Sequence, residues 1–406
     1  MFRAFVWLRR LVRELWFRVS LFAALAILVV LLAHLAAPLV PDWLNQWIDA
    51  GALIPVLTIL ASSMLAVSTF SLGTMVSSHR AAAQTATPRV MELMTGDGLT
   101  HVVLGVFIGA FVYALTALIL FQSGFNRGAP LVMVATLAVT GAVVLALVRW
   151  IAHLTTLGTL GDALARAEAA ATRALHTHRS APALGAMPMT PDVVISDDAR
   201  TLDAPKSGIL QVIDVGGLAR CAHRGVWVLR RPGQVVLKGA PLVQVAGQGD
   251  DPALLDCFVI GDHRTFEQDP GFALTVLSEI ASRALSPAVN DPGTAIEVIS
   301  RLERLLWDWA HQEPGSVGHR AQVFVAPWTA PDLVEAAFAP IARDGAMMLE
   351  VATQLIDALS SLANAPDGTL AAAARAMSER AREHAGAALR LPSDVARLPF
   401  HAAEVA

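Results

Sequence analysis

The sequence predicts an α-helical membrane protein: four transmembrane helices, then a cytoplasmic α+β domain with a small barrel-sandwich-like β module and a helical C-terminal part. Three observations predict it. Charged residues make up only 16% of the chain and the mean hydropathy is +0.54, whereas soluble domains are about a quarter charged. The apolar excess falls in long runs between positions 19 and 151, and the remainder has ordinary soluble composition. Basic residues gather in alternate connections, on one side of these runs, as in an oriented bundle.

The same composition excludes other classes. A net charge of -4 gives no broad basic field, so nucleic acid is not an expected partner. The two cysteines, Cys221 and Cys257, form neither a CxxC pair nor a metal-ligand cluster, and both are expected as reduced thiols. No nucleophile elbow, P-loop or His-Glu-x-x-His is present in the sequence. His263 with Glu267 is a four-residue pair too common to indicate a metal. Hence no catalytic residue, metal or cofactor is assigned, and an enzyme ranks behind the other readings.

Residues 1–18 place Phe2, Phe5, Leu8, Val12, Leu15 and Trp16 near one helical stripe, with Arg3, Arg9, Arg10, Arg13 and Arg18 around it. That pattern predicts an amphipathic interfacial helix on anionic lipid. The apolar run after it exceeds the roughly 7 to 15 residues of a secretory signal core, so a retained anchor is expected. Residues 19–151 form the transmembrane domain, with spans at 19–40, 52–76, 101–121 and 130–151. Each is long enough for about 30 Å of hydrocarbon at about 1.5 Å per residue. His79, Arg80 and Arg89 lie between the second and third spans, Arg149 stands at the end of the fourth, and Arg166, Arg173 and Arg179 follow it. The opposite side carries Asp42, Asp49 and only Arg127. By the positive-inside rule both termini are cytoplasmic.

A helix from Leu160 to His178, rich in alanine, leads out of this domain within a linker at 152–200. Pro182, Gly185, Pro188 and Pro191 then mark a boundary. Residues 201–250 change period: short β-branched runs at 209–214, 225–229, 234–237 and 242–245, punctuated by glycines, predict the β module. Its halves, Ser207 to Asp214 and Arg231 to Val245, look like a biotinyl or lipoyl-type barrel-sandwich hybrid. No lysine flanked by methionines stands in a hairpin tip, and Lys238 lies in the wrong half, so a structural or docking module is expected. Residues 251–392 return to the helical period at 272–285, 293–311, 333–362 and 369–389, with one strand at 322–326. Residues 393–406 are a tail.

Two constellations invite function. In the second span, Thr58, Ser62, Thr69 and Gly73 share one stripe, and the third span carries Gly105-Val-Phe-Ile-Gly109. Both patterns suit close helix packing in lipid, and the hydroxyls alternatively suit a narrow polar pathway. Against a coupled pump, no Asp, Glu, Lys or Arg lies in the middle of a span, Arg149 standing at the end of the fourth, and His34 is the one central ionisable residue. The second constellation is the polar segment 261–294: Arg264, Thr265, Asp269, Arg283, Ser286, Asn290, Asp291 and Thr294. Asp269-Pro270 and Asn290-Asp291-Pro292 suit helix N-caps, and an arginine paired with either aspartate suits a buried clamp. Alternatively Arg264, Arg283 and two helix starts converge on an anion such as a phosphate, carboxylate or lipid head group.

The stretch Leu72 to Val90 ending Pro88-Arg89-Val90, Val102 to Tyr113, Arg264-Thr-Phe-Glu-Gln-Asp269 and Ala284-Leu-Ser-Pro-Ala-Val-Asn-Asp-Pro292 together resemble the bacterial predicted membrane proteins grouped as domain of unknown function 2254. Ala288-Val289 departs mildly from that pattern. The resemblance implies a four-span inner-membrane protein with no assigned activity. The expected function is an oligomeric transport or channel-like assembly with a cytoplasmic sensing or gating domain. The alternative is a membrane-anchored binding or scaffold protein that docks an anionic ligand or protein partner through Arg264 and Arg283. Expected partners are the lipid bilayer, further copies of the chain, and an anionic small molecule or lipid head group.

Overall fold

The computed structural model describes residues 6, 11–12, 14–41, 43, 50–85, 87–90, 93, 97–124, 128–221, 224–315 and 320–399. The interfacial helix expected at 1–18 falls largely outside them, as do Asp42, Asp49 and Arg127. Two compact units divide the chain, one at Val6–Ala163 and one from Leu164 onward.

The first unit is built from α1 (Leu15–Ala36), α2 (Ala50–Thr85), α3 (Gly98–Gln122) and α4 (Ala129–Leu154). All four are long and apolar enough to cross a membrane. Their ends have sequence causes. Pro38 closes α1 in a short 3-10 turn, and Gly128, at φ 91, with Pro130 in the first turn, opens α4. The second helix runs to Thr85, beyond the predicted 76, because Arg80 adds charge and the three alanines after it add helix propensity, so the apolar run ends before the helix does. Inside, Leu57, Phe107, Ala114 and Tyr113 are buried, while Leu21, Phe70, Leu137 and Leu145 point outward. Helices apolar on every face suit an apolar solvent. The chain's one tyrosine, Tyr113, donates to the Val132 carbonyl at 2.9 Å and lies 3.0 Å from Thr136 Oγ1, so the buried hydroxyl is satisfied within the bundle.

The second unit opens within α5 (Leu160–Ser180). It holds eight strands among the described residues: β1 (Ala186–Pro188), β2 (Ala199–Asp203), β3 (Gly208–Ile213), β4 (Val226–Val228), β5 (Val235–Val236), β6 (Pro241–Ala246), β7 (Phe258–Gly261) and β8 (Arg320–Val325). They form a five-stranded sheet in the order β1-β8-β4-β6-β2 and a three-stranded sheet in the order β5-β3-β7. The pairs β1/β8 and β8/β4 are parallel and the others antiparallel. Both sheets share one core of Leu210, Ile213, Val228, Leu242, Phe258 and Val323. The predicted strands are thus dealt between two sheets, and β1, β7 and β8 join from outside 201–250. Period-2 alternation marks a strand but does not name its partner, least of all one reached through two intervening helices.

Short helices α6 (Val215–Cys221) and α7 (Asp251–Leu255) flank the sheets. The C-terminal helices are α8 (Pro270–Ala284), α9 (Pro292–His311), α10 (Ala330–Asp344), α11 (Leu349–Leu362), α12 (Gly368–Ala388) and the short α13 (Pro392–Val395). Where periodicity predicts one helix over 333–362, the structure has two. Gly345 caps α10, and a Cβ there would stand 2.6 Å from Val351 Cγ1. The chain turns where only glycine lets α11 come so close.

Candidate functional site

The polar segment resolves into two separate constructions. Asp269, 1% exposed, caps α8 by accepting from the Phe272 amide at 2.9 Å. Arg264 grips the same carboxylate from Nε and Nη2 at 2.8 and 3.0 Å and lies 4.8 Å over the Phe272 ring. This is a bidentate, charge-assisted pair. Burial pushes the Asp269 carboxyl above its ordinary range, while the arginine and the Phe272 amide pull it back. Gln268 extends the anchorage: its Oε1 accepts from the Ile213 amide at 2.8 Å and its Nε2 donates to the Ile213 carbonyl at 3.1 Å, as a neighbouring strand would. Thr265 Oγ1 is buried without a hydrogen-bond partner among the described residues.

The other construction stands at the far end of α8. Asp269 and Arg283 stand at the two ends of α8, which at about 1.5 Å of rise per residue separates them by about 21 Å. Here Ser286 Oγ donates to the Arg283 carbonyl at 2.7 Å, Asn290 adopts φ 50, and Asp291 caps α9 by accepting from the Thr294 amide and hydroxyl. The Thr294 hydroxyl and amide hold the Asp291 carboxyl below its ordinary range. Each helix start is therefore occupied by its own carboxylate, and Arg264 and Arg283 sit at opposite ends of one helix.

Two cavities lie in this unit, the smaller one beside the first construction, with Gln268 and Pro270 in its wall. One of about 220 Å³ is lined by Ala174, His178, Leu184, Pro270, Val325 and Trp328, and one of about 360 Å³ by His178, Arg179, Trp309, Trp328, Ala330 and Asp367, among others. His178, Pro327 and Trp328 belong to both walls. His178 Nε2 donates to the Trp328 carbonyl at 3.1 Å, and its Nδ1 accepts from Trp309 Nε1 at 3.3 Å, which assigns the tautomer. Burial, followed by Arg179, lowers the His178 pKa, against the Trp328 carbonyl, so the ring is neutral. With both nitrogens engaged, His178 is held in the wall. Trp309 lies between His178, 5.9 Å away and stacked, and Arg179, whose guanidinium is 4.4 Å from the ring. Arg179 is itself clamped by Asp367 at 2.8 Å and the Gln312 carbonyl at 2.8 Å.

Trp328 differs from these neighbours. Its Nε1 is buried with no hydrogen-bond partner among the described residues, and Arg231 lies 4.0 Å over its ring while bound to Asp332. Ala183 and Leu184, beside the smaller cavity, adopt φ 50 and 60. A left-handed backbone at two consecutive non-glycine residues stores strain that the fold must hold in place. Sequence reading missed this site because His178 and Trp328 are remote in the chain and neither stands in a motif. The one local signal was the proline-rich stretch read as a boundary.

In the first unit, Gly105 and Gly109 face Phe22 of α1: a Cβ would stand 2.5 Å from the Phe22 ring at Gly105 and 3.4 Å from Phe22 Cβ at Gly109. This glycine pair packs α3 on α1. Thr58, Ser62, Thr69 and Gly73 are instead exposed on α2. Their hydroxyls donate to carbonyls of the preceding turn, and a Cβ at Gly73 would meet nothing within 4 Å. A cluster not foreseen lies at the start of α3, where Asp97 meets His153 Nε2 at 2.6 Å and accepts from Thr100 Oγ1.

A protein-family profile described as "Predicted membrane protein (DUF2254)" matches residues 12–361. Curated relatives include a protein of Mycobacterium bovis and two of Mycobacterium tuberculosis, all described as uncharacterized. Each is 31% identical over 246 residues, covering 53% of this chain and 44% of the relative. The chain thus spans less than half the length of these relatives. No solved structure matches it.

Proposed function

The chain belongs to the DUF2254 family of predicted membrane proteins, and from that premise we propose an oligomeric, transport or channel-like assembly of the bacterial inner membrane whose second unit senses a small ligand. The observation that carries the sensing role is Trp328, a buried indole N–H without an acceptor among the described residues, in a wall common to two cavities. An unmatched buried donor costs about 1 to 3 kcal/mol, which a ligand acceptor would recover. The mostly apolar, aromatic lining fits a small molecule with an apolar body and a carbonyl-like acceptor. Arg179, Arg231 and Arg264 are each held by a carboxylate, so an anion docked through Arg264 and Arg283 draws less support. The β module, barrel-sandwich-like in its sequence, is read as the platform that carries the cavity walls.

Thr177 is exposed and lines the smaller cavity, so Thr177→Trp fills that cavity without disturbing the core. Mass spectrometry of organic extracts from the detergent-purified parent is expected to reveal a bound amphiphile that Thr177→Trp and Trp328→Phe lose. Identical extracts from all three proteins overturn the sensing role. Orientation is tested separately. Reporter fusions after Arg179 and at Asn45 are expected to act in the cytoplasm and the periplasm respectively, and the reverse pattern sinks the topology.

A further inference from the structure

 

The chain has two cysteines, remote in sequence and adjacent in the fold. Cys221 is the last residue of α6, and Cys257 lies between α7 and β7. Three contacts bring them together. The Asp214 amide, at the start of α6, donates to the Cys257 carbonyl at 2.8 Å. Cys257 Sγ packs against Gly217, where a Cβ would stand only 2.7 Å from the sulfur. Gly217 and Cys221 are four residues apart on one helix, so they share a face, and the two thiols lie within hydrogen-bonding reach of each other.

We propose that Cys221 and Cys257 are an oxidisable thiol pair that closes to a disulfide when the protein meets hydrogen peroxide. The roles follow from exposure. Cys221 is half-buried and Cys257 is 4% exposed, so peroxide meets Cys221 first. The Cys221 sulfur attacks the O–O bond, which breaks; a sulfenic acid forms and water leaves. The Cys257 sulfur then attacks Cys221, the S–O bond breaks, and the hydroxide leaves as water with the Cys257 proton. Two thiols and one peroxide become one disulfide and two waters: the sulfurs are oxidised and the peroxide oxygens reduced.

Burial, followed by the charge of Cys221, pushes the Cys257 thiol up to about 12, which keeps it from reacting with peroxide directly.

The test uses the full chain in detergent, treated with hydrogen peroxide, then unfolded and alkylated with N-ethylmaleimide. Expected is the loss of both free thiols, a peptide linking Cys221 to Cys257, and recovery of both thiols with dithiothreitol. In Cys257→Ser, dimedone is expected to trap a sulfenic acid at Cys221; in Cys221→Ser, Cys257 is expected to stay reduced. A parent that keeps both thiols alkylatable, or that links only between chains, overturns the proposal without reference to either variant.

Discussion

Gly105 and Gly233 both stand where a side chain has no room, yet they answer to different solvents. Gly105 lies against the Phe22 ring, an apolar neighbour that can turn aside. Gly233, at φ +92, lies against the buried Asp269 carboxylate, with a Cβ position 2.0 Å from Oδ2 and 3.3 Å from Arg264 Nε. In the first unit a small residue lets two apolar helices approach, which is how helices associate without a hydrophobic driving force. In the second, glycine admits a fully satisfied polar clamp. One unit is held by shape and the other by matched charges and caps.

The largest effect is expected at Gly233→Ala, which meets both a left-handed φ and the clamp. A loss above about 4 kcal/mol is expected, read as failure of the second unit to unfold cooperatively while the helical content of the first persists. A mild shift in melting temperature would break the comparison at its polar end.

Arg264→Ala follows, at about 3 kcal/mol, because it leaves the buried Asp269 without its cation. The pH dependence has a definite sign. Burial already raises Asp269, and losing Arg264 raises it further. A carboxyl whose folded pKa exceeds its unfolded value lowers stability as pH rises through that window. The deficit of Arg264→Ala relative to the parent is therefore expected to be full near neutral pH and to shrink as pH falls toward the ordinary carboxylate range. Urea melts at several pH values check it, and a deficit that grows on acidification refutes the clamp.

Gly105→Leu is expected to cost about 2 kcal/mol by forcing α1 from α3, and Gly109→Leu less, since its Cβ position lies 3.4 Å from Phe22. Phe22→Ala should recover part of the Gly105→Leu loss in a double-mutant cycle. Additive losses would mean that the two side chains do not meet.

What the sequence disclosed divides along the same line. The four apolar helices, the caps at Asp269 and Asp291 and the pairing of Arg264 with Asp269 are local: each is written within one run of residues or a few positions. The separation of Arg264 from Arg283 was hidden by their closeness in sequence, because a helix between two residues carries them apart. The cavity walls were hidden for the opposite reason, since His178 meets Trp328 only after β8 has paired with β1 and β4. The thiol pair needed the same kind of knowledge, with α6 and α7 brought together at one corner.

The smallest effect on the protomer is expected at Gly73→Leu, and it sharpens the comparison most for function. Gly73 is exposed on α2, and nothing lies within 4 Å of its Cβ position, so the stability of a single copy should change by no more than about 0.5 kcal/mol. Thr58, Ser62 and Thr69 already bond to their own helix, so they need no partner for hydrogen bonding. What remains for the stripe is shape: small residues along an outward face admit a second helix closely. If copies of the chain associate there, Gly73→Leu shifts the oligomer distribution in detergent toward smaller species while the protomer melts as before. An unchanged distribution would leave the stripe facing lipid and remove the support that α2 gives to an oligomeric assembly.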